Sequence, residues 1–101
     1  METQEAIETV TANMCALLKH KNENYGDSAL NPTRIFSKSD ASAGILIRLD
    51  DKMSRIMNSD ELRQNDVWDV MGYLVLLSIS NGWFDYDENE NSTSKERKNE
   101  D

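Results

Sequence analysis

The chain has 101 residues, of which 38% are apolar and 30% charged, and its 11 Lys and Arg against 19 Asp and Glu give a net charge of −8. That length accommodates one domain with a small core, and cores of this size commonly draw on a partner subunit. The acidic balance speaks against a nonspecific nucleic-acid-backbone binder and against a polybasic membrane-surface module, because both need a basic face.

Residues 2–24 are predicted as the first helix. Ile7, Val10, Met14, Leu17 and Leu18 follow helical spacing. Glu2, Glu5 and Glu8 near its start and Lys19 and Lys21 near its end suit the helix dipole. Asn24 and Gly26 supply a stop. Residues 25–40 read as a connection containing the sole proline, Pro32, with Ile35 and Phe36 as apolar anchors. A connection this long in a small domain is more often functional than idle, and it has room for a short helical turn.

The second helix is expected over 41–58, capped by Ser39, Asp40 or Ser42. Ile45, Leu46, Leu49, Met53, Ile56 and Met57 form its apolar stripe. Arg48, Asp51, Lys52 and Arg55 form a second stripe of the same period on another face. After a polar bridge at 59–64, a third helix is expected over 66–81, stopped by Gly82. Its apolar residues surround it almost completely, which places such a helix centrally in a bundle or between subunits. Residues 85–101 carry seven acidic and three basic side chains and read as an acidic disordered tail. The expected organisation is therefore one all-α domain over 1–84, with three main helices and room for a short fourth, followed by the tail.

Four aspartates are the strongest chemical signal. Asp66 and Asp69 are three residues apart and share a helix face. Asp69 lies between Trp68 and Val70, where a carboxylate needs a cation, a hydrogen-bond partner or water. Asp50 and Asp51 lie on the preceding helix, which antiparallel packing can bring opposite. Facing helices that carry several hard oxygen ligands suit Mg²⁺. The plainer alternative is that Asp66 caps the third helix and Asp69 pairs with Arg48, Lys52 or Arg55. Those three cations, spread over two turns, are placed either to hold phosphates or to form a solvated face. Around the first helix stop, Lys21 and Asn24 have the reach to contact phosphate or base edges and Tyr25 to stack on a base. A plain helix stop with Tyr25 on the core explains the same residues.

Other readings are weaker. The run Asp85, Asp87, Asn89, Asn91 and Glu96 mimics calcium-loop spacing, but Glu90 stands where that loop needs glycine. Asn91-Ser92-Thr93 fits the glycosylation pattern without any sign of secretion. His20 is the sole histidine, which leaves a histidine-based triad poorly supported. Cys15 reads as a small core residue and excludes an internal disulfide, being the sole cysteine. Neither a signal pattern nor a membrane-length apolar run is present, so a cytoplasmic location is expected.

The ordered set Lys21-Asn22, Tyr25-Gly26, Asn31-Pro32, Phe36, Arg48, Lys52, Arg55-Ile56, Asp66, Asp69 and Gly72-Tyr73-Leu74 resembles a phage and bacterial family, the nucleotide modification associated domain. More distantly, that family resembles the all-α MazG-like nucleoside triphosphate pyrophosphatases. The resemblance spans residues 21–83. It implies a helical-bundle fold and a nucleotide ligand, with Mg²⁺ or Mn²⁺ held by acidic motifs on two successive helices. Asp66 and Asp69 match the second motif, with aspartate for its first glutamate. In the first motif, aligning the last acid to Asp51 puts Ile47 and Arg48 where paired glutamates belong. Aligning the pair to Asp50-Asp51 instead puts Ser54 at the last acid.

Three functions remain open at this point. In the first, Asp51, Asp66 and Asp69 hold Mg²⁺ with Asp50 assisting, and the metal activates water to hydrolyse a nucleoside phosphate. Arg48, Lys52 and Arg55 would hold the phosphates, while Lys21, Asn24, Tyr25 and Tyr73 would hold the rest of the nucleotide. The second is a nucleotide-binding or sequestering module without turnover, serving DNA modification or evasion of host defence. The third is an acidic protein that binds and inhibits a host factor. A homodimer or homotetramer is expected in each case, with no membrane and no nonspecific DNA contact.

Overall fold

A computed structural model describes residues 1–31 and 40–86, apart from the side chain of Tyr25. Its described residues form three α-helices and no strand. The chain is all-α, as the apolar periodicity predicts. The expected tail from residue 87 and the anchors Ile35 and Phe36 lie outside the described residues.

Helix α1 spans Thr3–Tyr25. The Glu2 backbone N–H donates to Glu5 Oε1 at 3.3 Å, which satisfies one donor at the entrance of the helix. The helix ends at Gly26, whose φ of 70° is open to a residue without Cβ and whose N–H donates to the Asn22 carbonyl at 3.0 Å. Asp27 is also left-handed, with φ 62°. Aspartate tolerates that region better than most residues, and here its carboxylate accepts a hydrogen bond from Asn31 Nδ2. The Asn31 N–H also donates to the Asp27 carbonyl at 2.9 Å, so the turn closes on itself.

Helix α2 spans Ala41–Asn58. Of the three candidate caps, Asp40 is the one used: its carboxylate accepts from the Ala43 N–H at 2.8 Å. Helix α3 spans Gln64–Ser80 and starts two residues earlier than expected. Its cap position is Arg63, and Asp66 sits in the first turn, so Asp66 is not the capping residue. At the far end, the Gly82 N–H donates to Ile79 O at 2.9 Å and the Trp83 N–H to Ser78 O at 2.8 Å. These two bonds are a Schellman stop.

Helices α2 and α3 form the main antiparallel pair. Ser42 Oγ at the start of α2 lies 2.6 Å from Ser80 Oγ at the end of α3. Ser80 spends its own hydroxyl proton on the Leu77 carbonyl at 3.0 Å, so Ser42 donates to Ser80. Among the described helices, α1 packs on α3 and not on α2. The contact is closest at Gly72, where a Cβ would stand 3.0 Å from Leu18 Cδ2.

The core is thin. Ile45, at 1% exposure, Leu49 and Met14 are its buried apolar side chains among the described residues. The expected stripes are only partly covered. Ile7 and Val10 on α1, Leu46, Met53 and Met57 on α2, and Leu74, Val75 and Ile79 on α3 are all exposed. Cys15 is exposed as well, not a core residue, because α1 turns Met14 rather than its neighbour toward α3.

Candidate functional site

The face of α3 that carries Trp68, Asp69, Gly72, Tyr73 and Leu76 has the one-three-one-three spacing of a helix side that meets other elements. Gly72 has no side chain, which lets α1 approach. Opposite this face, α1 presents Leu17, Leu18, Lys21 and Asn22, and the turn after it adds Asp27, Ser28 and Ala29. Arg48 reaches in from α2. The cavity between them measures about 230 Å³. Its lining combines apolar and aromatic groups with the charged side chains of Lys21, Asp27, Arg48 and Asp69.

Asp69 is the electrostatic centre. Its side chain is 18% exposed. Lys52 Nζ lies 2.9 Å from Oδ2, and Lys21 Nζ lies 3.6 Å from Oδ1. Each carboxylate oxygen therefore has its own ammonium. Lys52 is 19% exposed and Lys21 is 46% exposed, so Lys52 is the held partner and Lys21 the looser one. The expected pairing of Asp69 with α2 occurs through Lys52, and α1 supplies a second cation. Arg48, an exposed residue of α2, lines the same cavity, and Asp27 is the other acid on the lining. The lining thus carries two cations and two acids, and Lys52 adds one cation behind Asp69, in a chain whose net charge is −8.

Of the residues expected to hold phosphates, Arg48 lines the cavity and Lys52 touches it through Asp69; of those expected to hold the rest of the nucleotide, Lys21 and Tyr73 line it. Arg55 is exposed two turns along α2 and lines no part of it. Asn24 is exposed and lies 3.0 Å from His20 Nε2 through its side-chain nitrogen. Tyr25 ends α1, and its side chain lies outside the described residues.

The expected carboxylate set is dispersed. Asp50 and Asp51 are exposed on α2, Asp66 is 7% exposed in the first turn of α3, and none of the three lines the cavity. Among the described residues, no three His, Cys, Asp or Glu side chains are grouped to hold a metal ion.

Trp68 and Asn22 were missed as site residues by sequence reasoning. The available signal was the shared helix face: Trp68 and Tyr73 flank Asp69 and Gly72 on one side of α3, and Asn22 adjoins Lys21. No family model matches this chain, and no curated protein or solved structure is significantly similar to it. No helix among the described residues is long and apolar enough to cross a membrane.

Proposed function

We propose that this chain is a nucleotide-handling protein of MazG-like build that holds a nucleoside phosphate in the cavity between α1, α2 and α3. The observation that carries this reading is the pair of lysines on Asp69, set beside Arg48 and two aromatic walls in an otherwise acidic chain. A phosphate anion competes with Asp69 for the looser ammonium of Lys21 and accepts from the guanidinium of Arg48. Trp68 and Tyr73 offer faces on which a base stacks. A volume of about 230 Å³ lies below the roughly 300–1,000 Å³ of sites that enclose a whole drug-sized ligand. The cavity therefore takes part of the nucleotide, and the remainder extends outside it. The order of the residues that resemble the nucleotide modification associated domain supports the same reading.

The Mg²⁺ implied by that resemblance does not fit the carboxylates as arranged. Asp69 is already neutralised by two ammonium groups, and Asp50, Asp51 and Asp66 lie off the cavity. Binding is accordingly the core of the proposal, and no hydrolytic step is assigned to these residues.

The deciding experiment is a thermal-shift titration with nucleoside mono-, di- and triphosphates, with and without Mg²⁺. A ligand that binds only the native state raises Tm. A rise without metal, lost in Arg48→Ala, supports the cationic site. A rise that requires Mg²⁺ and disappears in Asp69→Asn supports the carboxylate site and turnover instead. No shift with any nucleotide overturns the reading.

One observation favours a second reading, an acidic protein that binds a host factor. Trp83, Phe84 and Tyr86 are all exposed just beyond α3, and aromatic side chains are enriched in protein interfaces. Loss of a captured partner on Trp83→Ala and Phe84→Ala, with no nucleotide effect on stability, would select it.

A further inference from the structure

Helix α3 ends on Asn81-Gly82, the sole Asn-Gly step in the chain, and both residues are exposed. An asparagine followed by glycine can react with its own backbone, because glycine has no side chain to obstruct the approach. The Gly82 nitrogen attacks Asn81 Cγ and the Cγ–Nδ2 bond breaks. Ammonia leaves, carrying the proton that the Gly82 nitrogen gives up. Water then opens the resulting five-membered imide at one of its two carbonyls, which yields aspartate or isoaspartate. Water is the only co-reactant, and the chain gains one negative charge.

We propose that Asn81 is a spontaneous deamidation site that the stop of α3 holds unreactive, and that its conversion releases that stop. The proposal does not depend on the nucleotide reading. Three features hold the reaction back. First, Asn81 Nδ2, the leaving group, donates to the Leu77 carbonyl at 2.8 Å. Second, the Gly82 N–H, whose proton must be lost, donates to the Ile79 carbonyl at 2.9 Å. Third, Asn81 has φ −97° and ψ 0°, which sets the Gly82 nitrogen on the side of Asn81's own backbone nitrogen. Ring closure needs that nitrogen on the Cβ side instead. Turning ψ that far breaks the Gly82 bond to Ile79 O and the Trp83 N–H bond to Ser78 O at 2.8 Å. Ser80 braces the same turn: its hydroxyl donates to Leu77 O and accepts from Ser42 at the start of α2. Once formed, the product undoes these bonds. A carboxylate at position 81 has no proton to donate to Leu77 O, and it puts negative charge at the end of the helix where the dipole disfavours it. Isoaspartate also lengthens the backbone by one carbon between α3 and Trp83, which carries the Trp83 N–H away from Ser78 O.

The test is the fate of Asn81 in the full chain at mildly alkaline pH, in buffer and in guanidinium chloride, read by peptide mapping with mass detection. Alkali speeds the reaction because the Gly82 nitrogen must lose its proton. Aspartate and isoaspartate are expected at position 81 in both conditions, at least tenfold more slowly in buffer. Ser80→Ala removes the brace, and is expected to raise the rate in buffer several-fold and to leave the rate in guanidinium unchanged. Asn81→Asp reproduces one product and is expected to lower Tm by several degrees, and Asn81→Ser, which adds no charge, by less. No conversion at Asn81 in either condition overturns the site. Equal rates in the two conditions, or a Ser80→Ala protein no faster than wild type in buffer, overturn the restraint. An Asn81→Asp protein with the Tm of wild type overturns the release of the stop.

Discussion

A carboxylate that is mostly withdrawn from water needs a counter-charge, and Asp69 has two. Removing one partner of such a pair strands part of the charge, which costs more than the pair contributes when intact. Lys52→Met is therefore expected to lower stability by about 1–2 kcal/mol, read from chemical denaturation. Lys21 is more exposed and farther from the carboxylate, so Lys21→Met is expected to cost less than half of that while removing most anion affinity. Asp69→Asn separates the two site chemistries. If lysines hold the ligand, neutralising their intramolecular competitor raises metal-free affinity for inorganic phosphate by several-fold. If the carboxylate holds a metal, the same change abolishes binding. Isothermal titration with phosphate, with and without Mg²⁺, reads both outcomes.

Among the elements, the α1–α3 contact turns on Gly72. A Cβ there would meet Leu18 Cδ2 at 3.0 Å, the end of a flexible side chain that can give by a few tenths of an ångström. Gly72→Ala also gains roughly 1 kcal/mol of helix propensity. These effects oppose each other, so Gly72→Ala is expected to leave Tm nearly unchanged. Gly72→Leu has no such escape: it wedges α1 off α3, lowers stability by about 1–3 kcal/mol and opens the cavity. The expected signature is a joint loss of Tm and nucleotide affinity in Gly72→Leu, with both retained in Gly72→Ala. At the start of α2, Asp40→Ala removes a side-chain cap worth about 1 kcal/mol. It lies away from the cavity lining, so its Tm should fall with ligand affinity intact.

At the scale of the molecule, the decisive quantity is the mismatch, among the described residues, between three buried apolar side chains and the many exposed ones. A core of that size supplies little of the stability a domain needs. If a second copy completes the bundle, stability depends on concentration by mass action. Tm is then expected to rise by several degrees from low to high micromolar protein, as read by calorimetry. The net charge of −8 adds self-repulsion that salt screens. Moderate salt is therefore expected to raise Tm while weakening phosphate binding at Lys21 and Arg48. The opposite signs separate a global electrostatic effect from the local site.

The sequence by itself determined the helices. Periodic apolar residues fixed all three, and the ends of α2 follow from Asp40 and the polar bridge after Asn58, because caps and turns act within a few residues of chain. It also marked Asp69 as a carboxylate in need of a partner, since an acid between Trp68 and Val70 carries its own desolvation problem. Tertiary structure decided which partner answered. Lys21 and Lys52 are 48 and 17 residues from Asp69 in the chain, and no local rule ranks them above Arg48 or Arg55. Packing likewise left Asp50, Asp51 and Asp66 off the cavity, because their directions depend on how α2 and α3 are rotated about their own axes. Periodicity states which residues share a face. Only the contact at Gly72 and the pairing of α2 with α3 state which face meets another helix and which is left open.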